Sequence, residues 1–320
     1  MRCIVYGAGA IGATLGARLH QSGHDVVFIA RGAQAAALRD RGLTFESHDG
    51  TLQLRIPVVE RPNQLSFRKD DIVLLAMKTQ HTAAALAELA EFATPDIVIA
   101  CAQNGVENER LALRAFERVL AISVMCPALY LNPGHVQAFG TPLTGILDLG
   151  RYPRGSDEAC QQLSAAFRSS HFDSQVREEI LRFKYGKLLF NLGNAIEAVC
   201  GPDARKGPIA DLVRSEAIAA LTAAGIAFDA EQAARRSQAN KPLPLGASAR
   251  PGGSSWQSLT RRTGNIETDY LNGEIVLIGR SAGVPTPANA LLQRLSNELA
   301  RSGAAPGALA PEQFMSLLST

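Results

Sequence analysis

The chain has 320 residues, 46% of them apolar, and a formal net charge of +2 with basic and acidic residues interspersed. That length suits about two domains and that composition suits a globular core, while the balanced charge excludes the basic stripe of a nucleic-acid or anionic-membrane surface. Five scattered cysteines without a C-x-x-C pair read as small apolar residues in a reduced compartment.

Along the chain, CIVYGAG reads as a short buried strand ending in a turn, and Ala10 to Gln21 as a helix. Gly7 comes too early for the apolar region of a signal peptide. No apolar run reaches the ~18 residues of a membrane span, so a soluble, cytoplasmic protein is expected. His20 and His24 flank Gly23, where the helix should end, and are read as a helix terminus; no metal site is expected. DVVFIAR, DIVLLAMK and IVIACAQNG follow as strand-length apolar runs separated by helical segments such as HTAAALAELAEF. Such runs suit a parallel sheet covered on both faces, and their alternation with helices predicts a doubly wound α/β sheet. VLAISVMCPALY, HVQAFG and LTGILDLG add further strands. After about Val176 nearly everything reads as helix, apart from the irregular KPLPLGASARPGGSS. The expected organisation is a Rossmann-type domain over 1–176, an all-helical domain over 177–314, and a loose tail over 303–320.

The first turn carries chemistry. Gly7, Gly9 and Gly12 form G-x-G-x-x-G between a strand and a helix. In that setting the first glycine makes the tight turn, the second admits a pyrophosphate to the backbone, and the third lets the helix pack closely. The segment Gly7, Ala8, Gly9, Ala10, Ile11 and Gly12 is therefore the expected cofactor cradle, with the helix N-terminus facing the phosphates. Where an NAD-binding unit carries a carboxylate after the second strand, this chain reads FIAR. Arg31 would welcome the 2′-phosphate that a carboxylate repels, so NADP(H) is expected. Lys78 offers a second cation on the same edge of the sheet.

Two further segments complete a constellation. AQNGVEN places Asn104 just after a buried strand, and KYGKLLFNLGNA spaces Lys187, Asn191 and Asn194 at i, i+4 and i+7 along one expected helix face. SSWQSLTRRTGNIETDYLNG adds Ser254, Ser255, Glu267, Asp269 and Asn272. An ammonium there could stabilise negative charge developing on an oxygen and then donate a proton to it. Burial would lower the lysine's pKa and a nearby Glu267 would raise it, a balance that spacing leaves open.

In their order and spacing, GAGAIG, QNGVEN, KLLFN, SSW and IETDYLNG resemble the ketopantoate reductase family over nearly the whole chain. The resemblance implies a Rossmann domain that binds NADPH, a helical domain that completes the site, and an active-site cleft between them. It implies Lys187 as the catalytic lysine, Glu267 as the active-site glutamate, and Ser255 as a contact of the substrate carboxylate, with Ser254 able to exchange roles with it. Asn104, Asn191 and Asn194 would line the site, and Asn104 and Glu267 would also meet the cofactor beside Arg31 and Lys78. Two departures concern substrate recognition: Gly252 stands where the family has an asparagine, and Asn194 sits one place early. The expected reaction is NADPH-dependent reduction of 2-dehydropantoate to (R)-pantoate, on the route to pantothenate and coenzyme A. The alternatives are a paralogue for another small 2-keto acid and a non-catalytic NADP-binding sensor. The partner is then a small 2-keto acid, with no nucleic acid or membrane. Apolar helix faces permit a homodimer without demanding one.

Overall fold

The computed structural model describes residues 1–246 and 252–319. Residues 247–251, in the middle of the stretch expected to be irregular, lie outside the described residues. The chain divides into two compact units, Met1–Leu181 with Ala234–Arg250, and Arg182–Ala233 with Pro251–Thr320.

The first unit is built on an eight-stranded sheet. Its order runs Phe172–Asp173, Gly145–Arg151, Arg118–Met125, Val98–Cys101, Asp71–Leu75, Arg2–Tyr6, Asp25–Ile29, Val58–Val59. The six strands from Arg118–Met125 to Val58–Val59 are parallel, and Gly145–Arg151 runs antiparallel to its neighbour Arg118–Met125. Alternate residues go to opposite faces: Cys3, Val5, Ile72 and Leu74 pack in one apolar cluster, while Ile4, Tyr6, Val73 and Leu75 pack in another. Burial on both faces explains why these strands read as continuous apolar runs. A Rossmann-type α/β sheet is thus present, followed by helices. None of the five cysteines is in a disulfide; Cys3, Cys101 and Cys160 are buried as apolar filler, and burial pushes the Cys3 thiol up to about 12. A second sheet joins Gly50–Leu54, Leu43–Ser47, His135–Ala138 and Ala128–Leu129.

Three expectations need correction. The boundary falls after Leu181 rather than Val176, and the segment from Ala234 returns to the first unit. That return has a physical cause: Lys241–Pro242 pairs antiparallel with Gly140–Thr141, and Arg236 bonds to the buried Asp148 at 2.8 and 3.0 Å and to Asp173. The tail is not loose, because Pro311–Ser319 is a helix that buries Phe314 completely, and Gly307 and Leu309 donate to the carbonyls of Ala198 and Val199 at 2.9 and 3.0 Å. The long helix expected across Lys187 and Asn194 is two helices, Ile180–Asn191 and Gly193–Cys200. Leu192 keeps helical dihedrals between them, so the hydrogen-bond ladder breaks without the chain turning away. Among the described residues, no helix is long and apolar enough to cross a membrane, and no group of three His, Cys, Asp or Glu is placed to hold a metal.

Candidate active site

In the first unit, the strand order reverses beside Arg2–Tyr6, which has Asp25–Ile29 on one side and Asp71–Leu75 on the other. Ligands of open α/β sheets bind outside the carboxyl ends of the strands at such a reversal. Gly7 lies there with φ +103°, and a Cβ on it would stand 2.6 Å from the Met77 backbone nitrogen. Both the backbone conformation and the lack of space demand glycine. A Cβ on Gly12 would stand 1.9 Å from the Gly7 carbonyl oxygen and 3.0 Å from Ala76 Cβ. The third glycine therefore packs the helix Ala10–Gln21 against the turn and the neighbouring strand's exit, rather than against the body of the first strand.

Gly9 is different. A Cβ there would meet no protein atom within 4 Å, so nothing inside the chain requires a glycine. It is the N-cap of the helix Ala10–Gln21, no side chain caps that end, and no acidic residue lies in the first turn. An open backbone surface and an uncapped positive helix end fit a pyrophosphate. Gln34 holds the turn in place by donating to the Ala8 carbonyl at 2.8 Å.

Arg31, Lys78 and Asn104 follow the carboxyl ends of three parallel strands on this same edge, Asp25–Ile29 on one side of Arg2–Tyr6 and Asp71–Leu75 and Val98–Cys101 on the other. Arg31 is exposed, donates to the Tyr6 hydroxyl at 2.9 Å, and pairs with Glu88. Lys78 precedes the short turn Thr79–His81. Its loop is tied to that of Asn104 by a buried polar network. Gln103 donates to the Met77 carbonyl at 3.0 Å and to the Thr82 hydroxyl at 2.8 Å, while Asn108 donates to the Thr79 hydroxyl and the Asn104 carbonyl, each at 3.1 Å. Sequence reasoning passed over these positioning residues, although Gln103 and Asn108 both lie within the quoted AQNGVEN.

The second unit holds the lysine and glutamate that the sequence singled out. Lys187 lies on the helix Ile180–Asn191 and is half-buried, with Asn191 buried at its end. Gly186 permits the helix to seat against the chain at Asp229, whose carbonyl oxygen would lie 2.3 Å from a Cβ. Burial and the nearby charge of Lys184 push the Lys187 ammonium down to about 7, against an upward pull from Glu267. Removal from water is the larger influence on this ammonium and the carboxylate the smaller. Glu267 is itself buried, at the start of the single turn Glu267–Tyr270. A half-buried ammonium with a pKa near neutrality, beside a carboxylate, can both stabilise a developing oxyanion and surrender a proton.

Asn194 donates to the Ser254 hydroxyl at 3.4 Å. Ser254 and Ser255 are the first two residues of the helix Ser254–Thr260; Gly253, not a serine, is its N-cap, and Ser255 is buried. The serine turn is anchored by Glu197, which sequence reasoning missed. Its buried carboxylate accepts from the Gly253 amide at 3.2 Å and from Arg205 at 2.7 Å. Its only sequence signal is a charge inside the apolar AIEAVC. Asn272 and Asp269 serve the packing of helices: Asn272 donates to Asn289 at 3.1 Å, and Asp269 accepts from Gln293 and Asn297, each at 2.7 Å. A Cβ on Gly252 would lie 2.5 Å from Trp256 Cγ, so the indole excludes a larger residue at that position.

Comparison with known proteins gives the same division. The family model "Ketopantoate reductase PanE/ApbA" matches residues 3–154, and its C-terminal counterpart matches residues 179–300. The 2-dehydropantoate 2-reductase of Pyrococcus horikoshii is 27% identical over 305 residues, covering 92% of this chain and 96% of its own length. That of Archaeoglobus fulgidus is 27% identical over 303 residues, with the same coverage of both chains. A PanE/ApbA family ketopantoate reductase from Ralstonia eutropha JMP134 superposes with a TM-score of 0.79 at 25% identity, over 95% of this chain and 99% of its own. D-mandelate dehydrogenase shares the fold at the same TM-score, 0.79, with 22% identity and the same coverage. With both models matched in order and the glycine turn, lysine helix and serine turn built as described, this chain belongs to the ketopantoate reductase family.

Proposed function

We propose that the protein reduces 2-dehydropantoate to (R)-pantoate with NADPH. What carries this reading is the match of both ketopantoate reductase models in order along the chain, with Lys187 on the helix Ile180–Asn191 drawn below the ordinary lysine range by burial. NADPH, when bound, supplies the hydride to the keto carbon. Lys187 donates a hydrogen bond to the carbonyl oxygen, stabilises the charge that develops there, and then passes its proton to the alkoxide. Glu267 orients that ammonium. Ser255, Asn191 and Asn194 provide hydroxyl and amide groups for the substrate's carboxylate and hydroxyl. In the first unit, Gly7 to Gly12 cradle the pyrophosphate, Arg31 takes the 2′-phosphate, and Lys78 and Asn104 line the same edge. A cytoplasmic setting suits the free thiols.

A second reading, a related reductase for another branched or aromatic 2-keto acid, is favoured by the indole of Trp256 packed over Gly252. A side-chain amide is thereby lost as a partner for the substrate's terminal hydroxyl, and sites that bind such a hydroxyl discriminate strongly against analogues lacking it. NADPH oxidation followed by absorbance, with ketopantoate against 2-ketoisovalerate, decides between them. The expected result is a higher kcat/KM for ketopantoate; a clear preference for ketoisovalerate overturns the pantoate assignment and leaves the reductase chemistry standing. Arg31→Ala is expected to weaken NADPH by about 1–3 kcal/mol, the range of a charged hydrogen bond, and to leave NADH unaffected.

A further inference from the structure

The edge of the sheet that carries Arg31 also holds an ion cluster that the cofactor reading does not explain. Tyr6, the last residue of the first strand, donates its hydroxyl to Glu88 Oε2 at 2.7 Å from the helix Thr82–Ala90. Arg31 donates to that same carboxylate oxygen, to the Tyr6 hydroxyl, and to the Glu60 carbonyl at 3.4 Å. Arg61, the next residue of that loop, places its Nε 3.7 Å from Glu88 Oε1. The carboxylate is mostly covered, 20% exposed, whereas Arg31 and Arg61 are 56% and 67% exposed.

Two exposed guanidiniums from two loops thus converge on one half-hidden anion beside the glycine turn. Such a fork of donors matches a phosphate better than a lone carboxylate, because a phosphomonoester brings three acceptor oxygens and a charge near −2. Burial and the hydrogen bond to Glu88 push the Tyr6 phenol upward, which keeps it a neutral donor. A carboxylate in this position also opposes the phosphate directly, since like charges a few ångströms apart repel.

We infer that Glu88 is the resident counter-ion of the 2′-phosphate site: it gathers Arg31 and Arg61 in the free protein and competes with the cofactor's phosphate for both. The inference rests on the NADP(H) reading above and adds two residues to it. Glu88 lowers the preference for NADPH that Arg31 creates, and Arg61 is a second phosphate ligand that no motif marks.

Calorimetric dissociation constants test this on the full chain, with NADPH, NADH and adenosine 2′,5′-bisphosphate as ligands and without turnover. Glu88→Gln keeps the side chain's size and an acceptor for Tyr6 but removes the charge. It should tighten NADPH and the bisphosphate about tenfold, roughly the yield of 1.4 kcal/mol, with NADH unchanged. Arg61→Ala should weaken the same two ligands by a similar factor and again spare NADH. Glu88→Asp, which retains the charge, should stay close to the parent for NADPH and guards against a folding effect in the Gln variant. NADPH binding unchanged or weakened in Glu88→Gln, or NADH shifted equally, overturns the inference. If Arg31→Ala selectively weakens NADPH while Glu88→Gln does not tighten it, the counter-ion role alone fails. If Arg31→Ala leaves the NADPH-to-NADH ratio unchanged, the cofactor reading fails and the inference with it.

Discussion

Lys187 is where burial has the largest chemical consequence. An ordinary lysine, near 10.5, is a sluggish acid at neutrality; this one is lowered to about 7 by burial and by Lys184. In the proposed role of proton donor it works only while protonated, so kcat/KM for reduction should fall as pH rises through about 7. Lys184→Met removes the like charge, and the fall should then move to higher pH. Lys187→Ala should lower kcat by roughly 10²–10⁴. The same shift has a cost in stability. Between about 7 and 10.5 the unfolded chain binds a proton that the native chain does not, so stability rises with pH across that window and is lower below it. Lys187→Met should therefore raise the melting temperature at pH 7 while removing activity, a gain on the order of 1 kcal/mol. The glycines give a contrasting pair. Gly9→Ala adds a methyl to open space, so the fold should persist while NADPH binding weakens; calorimetry reads the second and thermal melting the first. Gly12→Ala drives a Cβ into the Gly7 carbonyl and should lower the melting temperature itself.

At the scale of elements, the serine turn depends on a neighbouring helix. Glu197, on Gly193–Cys200, receives the Gly253 amide and Arg205, and a Cβ on Gly253 would stand 2.9 Å from its Oε2. Glu197→Ala leaves the Arg205 guanidinium and a buried amide without that acceptor, at a cost of about 1–3 kcal/mol. The expected signature is a KM for the keto acid that rises more than kcat falls, because the loss acts on the serine turn rather than on Lys187. An equal loss of NADPH affinity would contradict this, since the glycine turn is built by other elements. The two-helix arrangement around Leu192 was hidden for a similar reason. Its residues are good helix formers, and the break involves the hydrogen-bond ladder rather than a proline or a turn residue.

At the scale of the whole molecule, contacts distant in sequence set the limits of the units. Pairing of Lys241–Pro242 with Gly140–Thr141, and the bonds of Arg236 to Asp148 and Asp173, join residues roughly 60–100 positions apart. No local pattern announces them. The C-terminal helix is a comparable case: AAPGALAP reads as a loose tail, yet Phe314 beyond it is fully buried. Phe314→Ala should cost about 3–5 kcal/mol, the usual range for such a cavity, and denaturant melts of the full chain measure it. A loss below about 0.5 kcal/mol, as on an exposed surface, would return the segment to the status of a tail.

The sequence by itself determined the parallel sheet, because strands buried on both faces must be continuously apolar, and it determined the glycine turn, because a positive φ at Gly7 and the close approach at Gly12 exclude side chains. It also exposed Lys187, Glu267, Arg31 and the asparagines as polar residues in patterned places. Tertiary structure alone decided the rest. Lys187's pKa depends on how much water reaches it and on its distance from Glu267; Arg31's partner, Glu88, lies 57 residues away. Electrostatic energy and desolvation depend on separation in space, and spacing along the chain fixes that separation only within a single helix or strand.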